Sequence, residues 1–199
     1  MIKFIKNIFF TISILILNFS TVYAVDENEA KSFITRVGQE AINILKIPIE
    51  DISQREDLFK EMFDNNFDKR LIHRAILGKA AKGASKEELI RFGKAFDKHI
   101  VKVYASQLGV YSNQLFIIDS AKVINKKDTI VSSHIEHESA PPLRIDWRLR
   151  NRGIGVKIID IAIEGVSLLA TKRADFGASI KNGGLHELII DLETKNAQN

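Results

Sequence analysis

Three groups of residues carry side chains that could do chemistry. In "SHIEHE", His134, Glu136, His137 and Glu138 offer imidazoles and carboxylates, the donor set of zinc and its neighbours. In "IIDIAIEG", Asp160 and Glu164 offer two carboxylates, as glycoside hydrolysis requires, or a lone aspartate base. In "VSLLATKRADF", Arg173 falls at the four-residue step from Leu169, inside the apolar stripe of Leu169, Phe176 and Ile180. A guanidinium there suits phosphate oxygens at a pocket mouth, or an ion pair with Asp160 or Glu164.

The elements that must hold these groups decide between the uses. Strand alternation sends His134 and His137 to opposite faces, so "SHIEHE" reads as a solvated strand end and no metal is expected. Asp160 and Glu164 are four strand residues apart, about 13 Å at 3.3 Å per residue. Glycosidase pairs sit about 5 to 9.5 Å apart, so the pair fails. Asp160 as a lone base in an apolar cup would make the chain a secreted isomerase or hydrolase with a cone-like α+β fold, which is the alternative function. His73, His99 and His186 lie among helical segments without a nucleophile pattern, and no P-loop, Gly-x-Ser-x-Gly or Rossmann glycine pattern is present.

Those elements are readable. From Asp26, Phe33, Val37, Ile44 and Leu45 recur on one side of a helix that ends before Pro48. "SQRE" from Ser53 and "SKEE" from Ser85 are capping boxes, each predicting a helix start. Between them "FDKRLIHRAILG" predicts a short helix stopped at Gly78. The helix after Ser85 carries Leu89, Phe92, Phe96, Ile100 and Val103, with Arg91, Lys94, Lys98 and Lys102 on its other side.

Beyond Gly109 the period changes to two. "QLFIID", "AKVIN" and "TIVSSHIEHE" read as successive strands, the last two around a lysine-aspartate turn. In "LRIDWRLR", Leu143, Ile145, Trp147 and Leu149 share one face. Ile159, Ile161 and Ile163 continue it on the next strand; Gly165 then permits a sharp turn and Ser167 caps the last helix. Short connections require antiparallel pairing. The expected class is α+β: N-terminal helices, a curved antiparallel sheet of four to five strands, and C-terminal helices packed on it around an apolar pocket.

The chain has 199 residues, 45% hydrophobic and 27% charged, and no cysteine, so a packed core and not a disulfide framework must stabilise it. Lys3 and Lys6 precede the apolar run "IFFTISILIL", and "VYA" ends at Ala24, the pattern of a secretory signal cleaved after Ala24. The run is too short to span a bilayer. One domain is expected over 25–199, mainly helical to 112, sheet over 113–166 and helical again over 167–193. Loss of Lys3 and Lys6 lowers the net charge from +4 to +2, too little to argue for nucleic acid.

In order and spacing, several segments resemble the MlaC, or toluene-tolerance, family of periplasmic phospholipid-binding proteins. They are "FDKRLIHRAILG", "SKEELIRFGKAFDKHIVKVYASQL", "PPLRIDWRLRNRGIGVKIIDIAIEGVSLL" and "TKRADFGASIKNGGLHELIIDL". The most specific pieces are Asp-x-x-x-Glu-Gly-Val-Ser from Asp160 to Ser167 and Arg-x-x-Phe from Arg173 to Phe176. A third is the spacing of Leu77, Gly78, Phe92, Phe96 and Tyr104. The resemblance implies a non-enzymatic carrier, without a cofactor, whose cargo is one glycerophospholipid with buried acyl chains. Its implied partners are an inner-membrane ABC transporter with an MCE-domain subunit and an outer-membrane lipoprotein complex. The implied pocket walls are Ile76, Phe92, Phe96, Tyr104, Leu143, Ile145, Val166 and Leu169, with Arg173 and Asp160 as a head-group contact or structural ion pair.

Burial energetics suit such a design. Each methylene is worth about 0.8 kcal/mol, so two exposed acyl chains would cost on the order of 20 kcal/mol, and a dry pocket at the upper end of the usual range of about 300 to 1,000 Å³ is expected. The basic side of the penultimate strand, Arg144, Arg148 and Arg150 with Arg152 and Lys157, is a candidate surface for an acidic partner or anionic head groups.

Overall fold

Asp26 opens the first helix, α1 (Glu27–Leu45), by accepting hydrogen bonds from the amides of Asn28 (2.9 Å) and Glu29 (3.3 Å). The computed structural model describes residues 23–107, 114–137, 140–153 and 155–198. The expected signal segment up to residue 22, and Glu138, lie outside the described residues.

After α1 come α2 (Ile52–Asn66), α3 (Lys69–Leu77), the one-turn α4 (Ala80–Gly83) and α5 (Lys86–Gln107). The Ser85 capping box is formed in both directions, Ser85 N to Glu88 Oε2 at 2.9 Å and Glu88 N to Ser85 Oγ at 3.1 Å. The Ser53 box is not. A 3₁₀ turn over Ile49–Asp51 runs straight into α2, so Ser53 is already inside the helix. Gly78 ends α3 at φ 55, as its position predicts.

The strands β1 (Leu115–Val123), β2 (Asp128–His137), β3 (Ala140–Asn151), β4 (Val156–Ile163) and β5 (Val166–Ser167) form one antiparallel meander in chain order. "QLFIID" and "AKVIN" are one strand, not two: the expected break is a register shift between Ile118 and Ser120. A second shift on β4 makes Ile158 the partner of Leu149, while Asp160 faces Arg148. Ile159, Ile161 and Ile163 share one inner face as expected, and the extra residue brings Ile158 inside as well, so that both Ile158 and Ile159 are buried. Glu164 (φ 50) and Gly165 (φ 78) make the two-residue turn into β5.

The last helix, α6 (Leu168–Gln198), is kinked at Gly184 (φ 81, ψ 174), where the chain leaves helical geometry. Ser167 caps it, accepting from the Ala170 amide at 3.0 Å. Helix α1 lies across β1 and β2, while α6 packs against α3 and α5. Two apolar clusters result. One joins α1 to the inner sheet face through Ile34, Val37, Val131, Ile145, Trp147 and Leu149; the other joins α3, α5 and α6 through Ile72, Phe92, Phe96, Phe176 and Leu188. Phe67 and Tyr104 pack against both. The α2–α3 connection is tied to the sheet where the Asp68 amide donates to the Ile158 carbonyl at 3.0 Å. Among the described residues no helix is long and apolar enough to cross a membrane.

Candidate functional site

Between the two clusters lies a cavity of about 250 Å³. Its helical wall comes from Phe59, Met62 and Phe63 of α2, Ile72 and Ile76 of α3, and Phe96, Ile100 and Tyr104 of α5. Opposite stand Phe116, Ile135, Ile145, Trp147 and Ile161 of the sheet. Helix α1 closes one side with Val37, Gly38, Ala41, Ile42 and Leu45, and the strand–helix elbow supplies Ile163, Leu168, Leu169 and Lys172. The volume falls short of the upper range expected from two acyl chains.

The Trp147 indole and the Asp160 carboxylate beside this space are already engaged. The Trp147 indole donates to Ser133 Oγ (2.8 Å), and that hydroxyl donates to the Ile145 carbonyl (3.1 Å), so the ring presents hydrocarbon to the cavity. Burial pushes the Tyr104 phenol above its ordinary pKa, keeping it neutral. Asp160 accepts from Ser167 Oγ (2.6 Å) and from the Leu169 amide (3.1 Å), which makes it part of the α6 cap. A carboxylate bound in this way is poorly placed to act as a base.

Of the eight residues implied as walls, Ile76, Phe96, Tyr104, Ile145 and Leu169 line the cavity. Phe92 does not. It lies behind Phe96, stacked on it at 5.7 Å and edge-on to Phe176 at 6.3 Å, and is fully buried. Leu143 shares the face of Ile145 but sits further along the strand and is 40% exposed. Val166, on the short edge strand, is 59% exposed. The Arg173–Asp160 ion pair is not formed: Asp160 sits in the α6 cap, and the Arg173 guanidinium lies away from it, against Gly78. Arg173 is exposed, and its Nη2 approaches α3 at Gly78, 3.3 Å from where a Cβ would stand.

Glu164 accepts from the Arg144 amide at 2.6 Å in the β4–β5 turn and is no partner for Asp160. His134 is paired with Asp119 (2.8 Å), whose hydrogen bond holds the imidazole pKa above its ordinary value. Among the described residues no cluster could hold a metal ion. The basic strand face is partly compensated internally: its five cations meet three carboxylates, which leaves a net charge of +2. Asp128 takes both Arg148 and Arg150 (2.5 Å each), Arg144 pairs with Asp146 (2.9 Å), Arg152 with Asp68 (3.2 Å), and Lys157 donates to the Asn65 carbonyl.

Comparison with known proteins decides the family. The model of the MlaC protein family matches residues 35–194, which include both clusters' main elements and the whole sheet. The chain belongs to the MlaC family. A relative from Haemophilus influenzae, "Intermembrane phospholipid transport system binding protein MlaC", is 28% identical over 127 residues, 62% of this chain and 59% of that protein. The match thus spans less than two thirds of the relative's length. Among solved structures, the phospholipid-binding protein from Ralstonia solanacearum, in complex with a phospholipid, superposes with a TM-score of 0.73. It is 21% identical, covering 85% of this chain and 97% of the other, so the likeness establishes a shared fold.

In this MlaC family member, the α1 and α2 walls, Phe116 and Lys172 escaped sequence reasoning. One signal was available for α1. A glycine inside a long amphipathic helix costs about 0.5–1 kcal/mol relative to alanine, so Gly38 marks a close approach. There the Phe116 ring packs against the backbone, and a Cβ on residue 38 would overlap its Cδ1 at 2.6 Å.

Proposed function

We propose that this protein is a periplasmic carrier of a diacyl glycerophospholipid, a shuttle without catalytic activity. It holds the acyl chains in the cavity and leaves the head group largely outside. The observation that carries this reading is an almost wholly apolar cavity, lined by both core clusters, in a chain of the MlaC family. The names of the Haemophilus and Ralstonia proteins support the cargo. Ile76, Phe96, Tyr104, Ile145 and Leu169 are the proposed chain contacts. The commitment of Asp160 to the helix cap argues against the isomerase or hydrolase alternative.

At about 250 Å³ the cavity lies below the range of about 300 to 1,000 Å³ typical of ligand pockets, so two acyl chains require the walls to part. Phe67 and Tyr104, touching both clusters, are where such parting would be felt. Burying the chains from water is worth on the order of 20 kcal/mol, but a bilayer offers the same burial. Exchange with a membrane is then nearly balanced, and direction falls to the partners. We assign these as an inner-membrane ABC transporter with an MCE-domain subunit and an outer-membrane lipoprotein complex, in maintenance of outer-membrane lipid asymmetry. The protein would reach them after export and cleavage following Ala24.

Native mass spectrometry of protein purified without detergent tests the reading. About one diacyl phospholipid per chain is expected. A chain free of lipid, which also takes none from vesicles, would reject the carrier function.

A further inference from the structure

The cavity wall contains a cation at an unexpected position. Lys172, one turn beyond Leu168, contributes to the lining, whereas its neighbour Arg173 points to Gly78 on α3. The Lys172 side chain is 27% exposed, and its one ion pair among the described residues is with Asp175 at a loose 3.8 Å. Lys69 of α3, by contrast, holds Asp64 at 2.6 Å and Asp97 at 3.0 Å. The positive charge at position 172 is therefore weakly compensated where hydrocarbon lining gives way to solvent.

Other groups at the elbow are less suited to an anion. The Leu169 and Ala170 amides already donate to Asp160 and Ser167, so the start of α6 is capped. Asp160, the acidic residue in the lining, is held by that cap and does not pair with Lys172. Lys172's field reaches α5: burial first, and then Lys172 and Lys195 against Asp191, keep His99 below its ordinary pKa. Among the described residues of the elbow that line the cavity, Lys172 carries the positive charge.

We propose that Lys172 is the anion-recognition residue of the site: its ammonium contacts the phosphodiester of a lipid whose acyl chains fill the cavity, selecting phospholipid over uncharged diacylglycerol. This inference rests on the carrier reading. A lysine stem lying along apolar surface with its head at the solvent boundary has the required geometry, and a part-exposed pair of this kind is worth up to about 1 kcal/mol, or about fivefold in affinity.

The test offers the protein vesicles containing equal amounts of palmitoyl-oleoyl phosphatidylglycerol and palmitoyl-oleoyl glycerol and counts what is retained by native mass spectrometry. The protein should favour the phospholipid by about fivefold, Lys172→Arg should keep that preference, and Lys172→Met should lose it while loading diacylglycerol normally. Arg173→Gln serves as the comparison and should change nothing. Excess inorganic phosphate should leave the preference intact, whereas its loss would assign the charge to free phosphate and overturn the proposal. Equal uptake of both lipids by the parent protein, or an unchanged preference in Lys172→Met, would also overturn it. If Lys172→Met fails to fold, Lys172→Gln decides by the same criterion. Uptake of neither lipid by the parent protein would sink the carrier reading itself, a distinguishable result.

Discussion

The two walls of the cavity are built differently. On the helical side, Phe92, Phe96 and Phe176 stack and meet edge-to-face at 5.7 to 6.3 Å, with the His73 ring against Phe92 and Phe96 at 5.9 and 5.4 Å. Interlocked rings fix one another's rotamers, so this wall behaves as a foundation. On the sheet side, the α1 cluster is mainly aliphatic, and the aromatic pair contributed by the strands, Phe116 and Trp147, meets edge-on at 6.2 Å facing the cavity. A wall whose rings border empty space can adjust. The comparison places rigidity behind Phe96 and adaptability across from it.

Breaking the foundation should have the largest effect. Phe92→Ala removes a fully buried ring that does not line the cavity, and should cost about 3–5 kcal/mol in urea unfolding. Lipid per folded molecule should stay the same. Loss of lipid with normal stability would mean that the ring borders the cavity after all.

The sheet wall has its own weak point, at low pH. Asp128 is 1% exposed; burial pushes its pKa up, but hydrogen bonds from Arg150, Arg148 and Asn125 together outweigh this and hold it at about 2, below the ordinary 3.8. The folded-state value is depressed, so the stabilisation is complete above the unfolded pKa and is lost as pH falls from about 3.8 through 2. It amounts to about 2 kcal/mol. Acid unfolding of Asp128→Asn should therefore lack this component between pH 4 and 2, while starting from lower stability at neutral pH. Parallel acid curves for both proteins would refute the assignment.

The two walls also differed in how far they could be read from sequence. Local signals worked: the Ser85–Glu88 box, the Gly78 stop and the Glu164–Gly165 elbow depend on neighbours in the chain. Ser53–Glu56 has the same letters, but the 3₁₀ turn before it moved the helix start upstream. The β4 bulge was illegible because an extra residue in one strand is defined only against its partner. Phe92 and Phe96 are equivalent in helical periodicity, and only the position of α6 decides which is behind and which in front. Likewise Lys172 and Arg173 are separated by one helical step, and the packing of α6 on α3 chooses which of them meets the cavity.

Adaptability of the sheet wall can be tested at Gly38. In Gly38→Ala the new methyl would meet the Phe116 ring, whose Cζ stands at 2.9 Å, so the ring must turn or α1 must lift. We expect a loss of about 1–3 kcal/mol and reduced lipid loading. Phe116→Leu should restore both in the double variant, a coupling readable in a double-mutant cycle. Additive effects would mean that the contact does not shape the cavity.

The smallest effect should come at the sheet edge, where Val166 and Leu169 are separated only by Ser167 and Leu168. Val166 is exposed on β5, so Val166→Asp should shift stability by no more than about 0.5 kcal/mol and leave lipid loading unchanged. Leu169 lines the cavity beside the Asp160 cap, and Leu169→Asp would set a carboxylate against hydrocarbon and near a second carboxylate, so it should abolish loading. The pair measures where the inner surface of the sheet wall ends. Loss of loading in Val166→Asp at normal stability would extend that surface around the elbow and make the edge strand part of the route by which acyl chains enter.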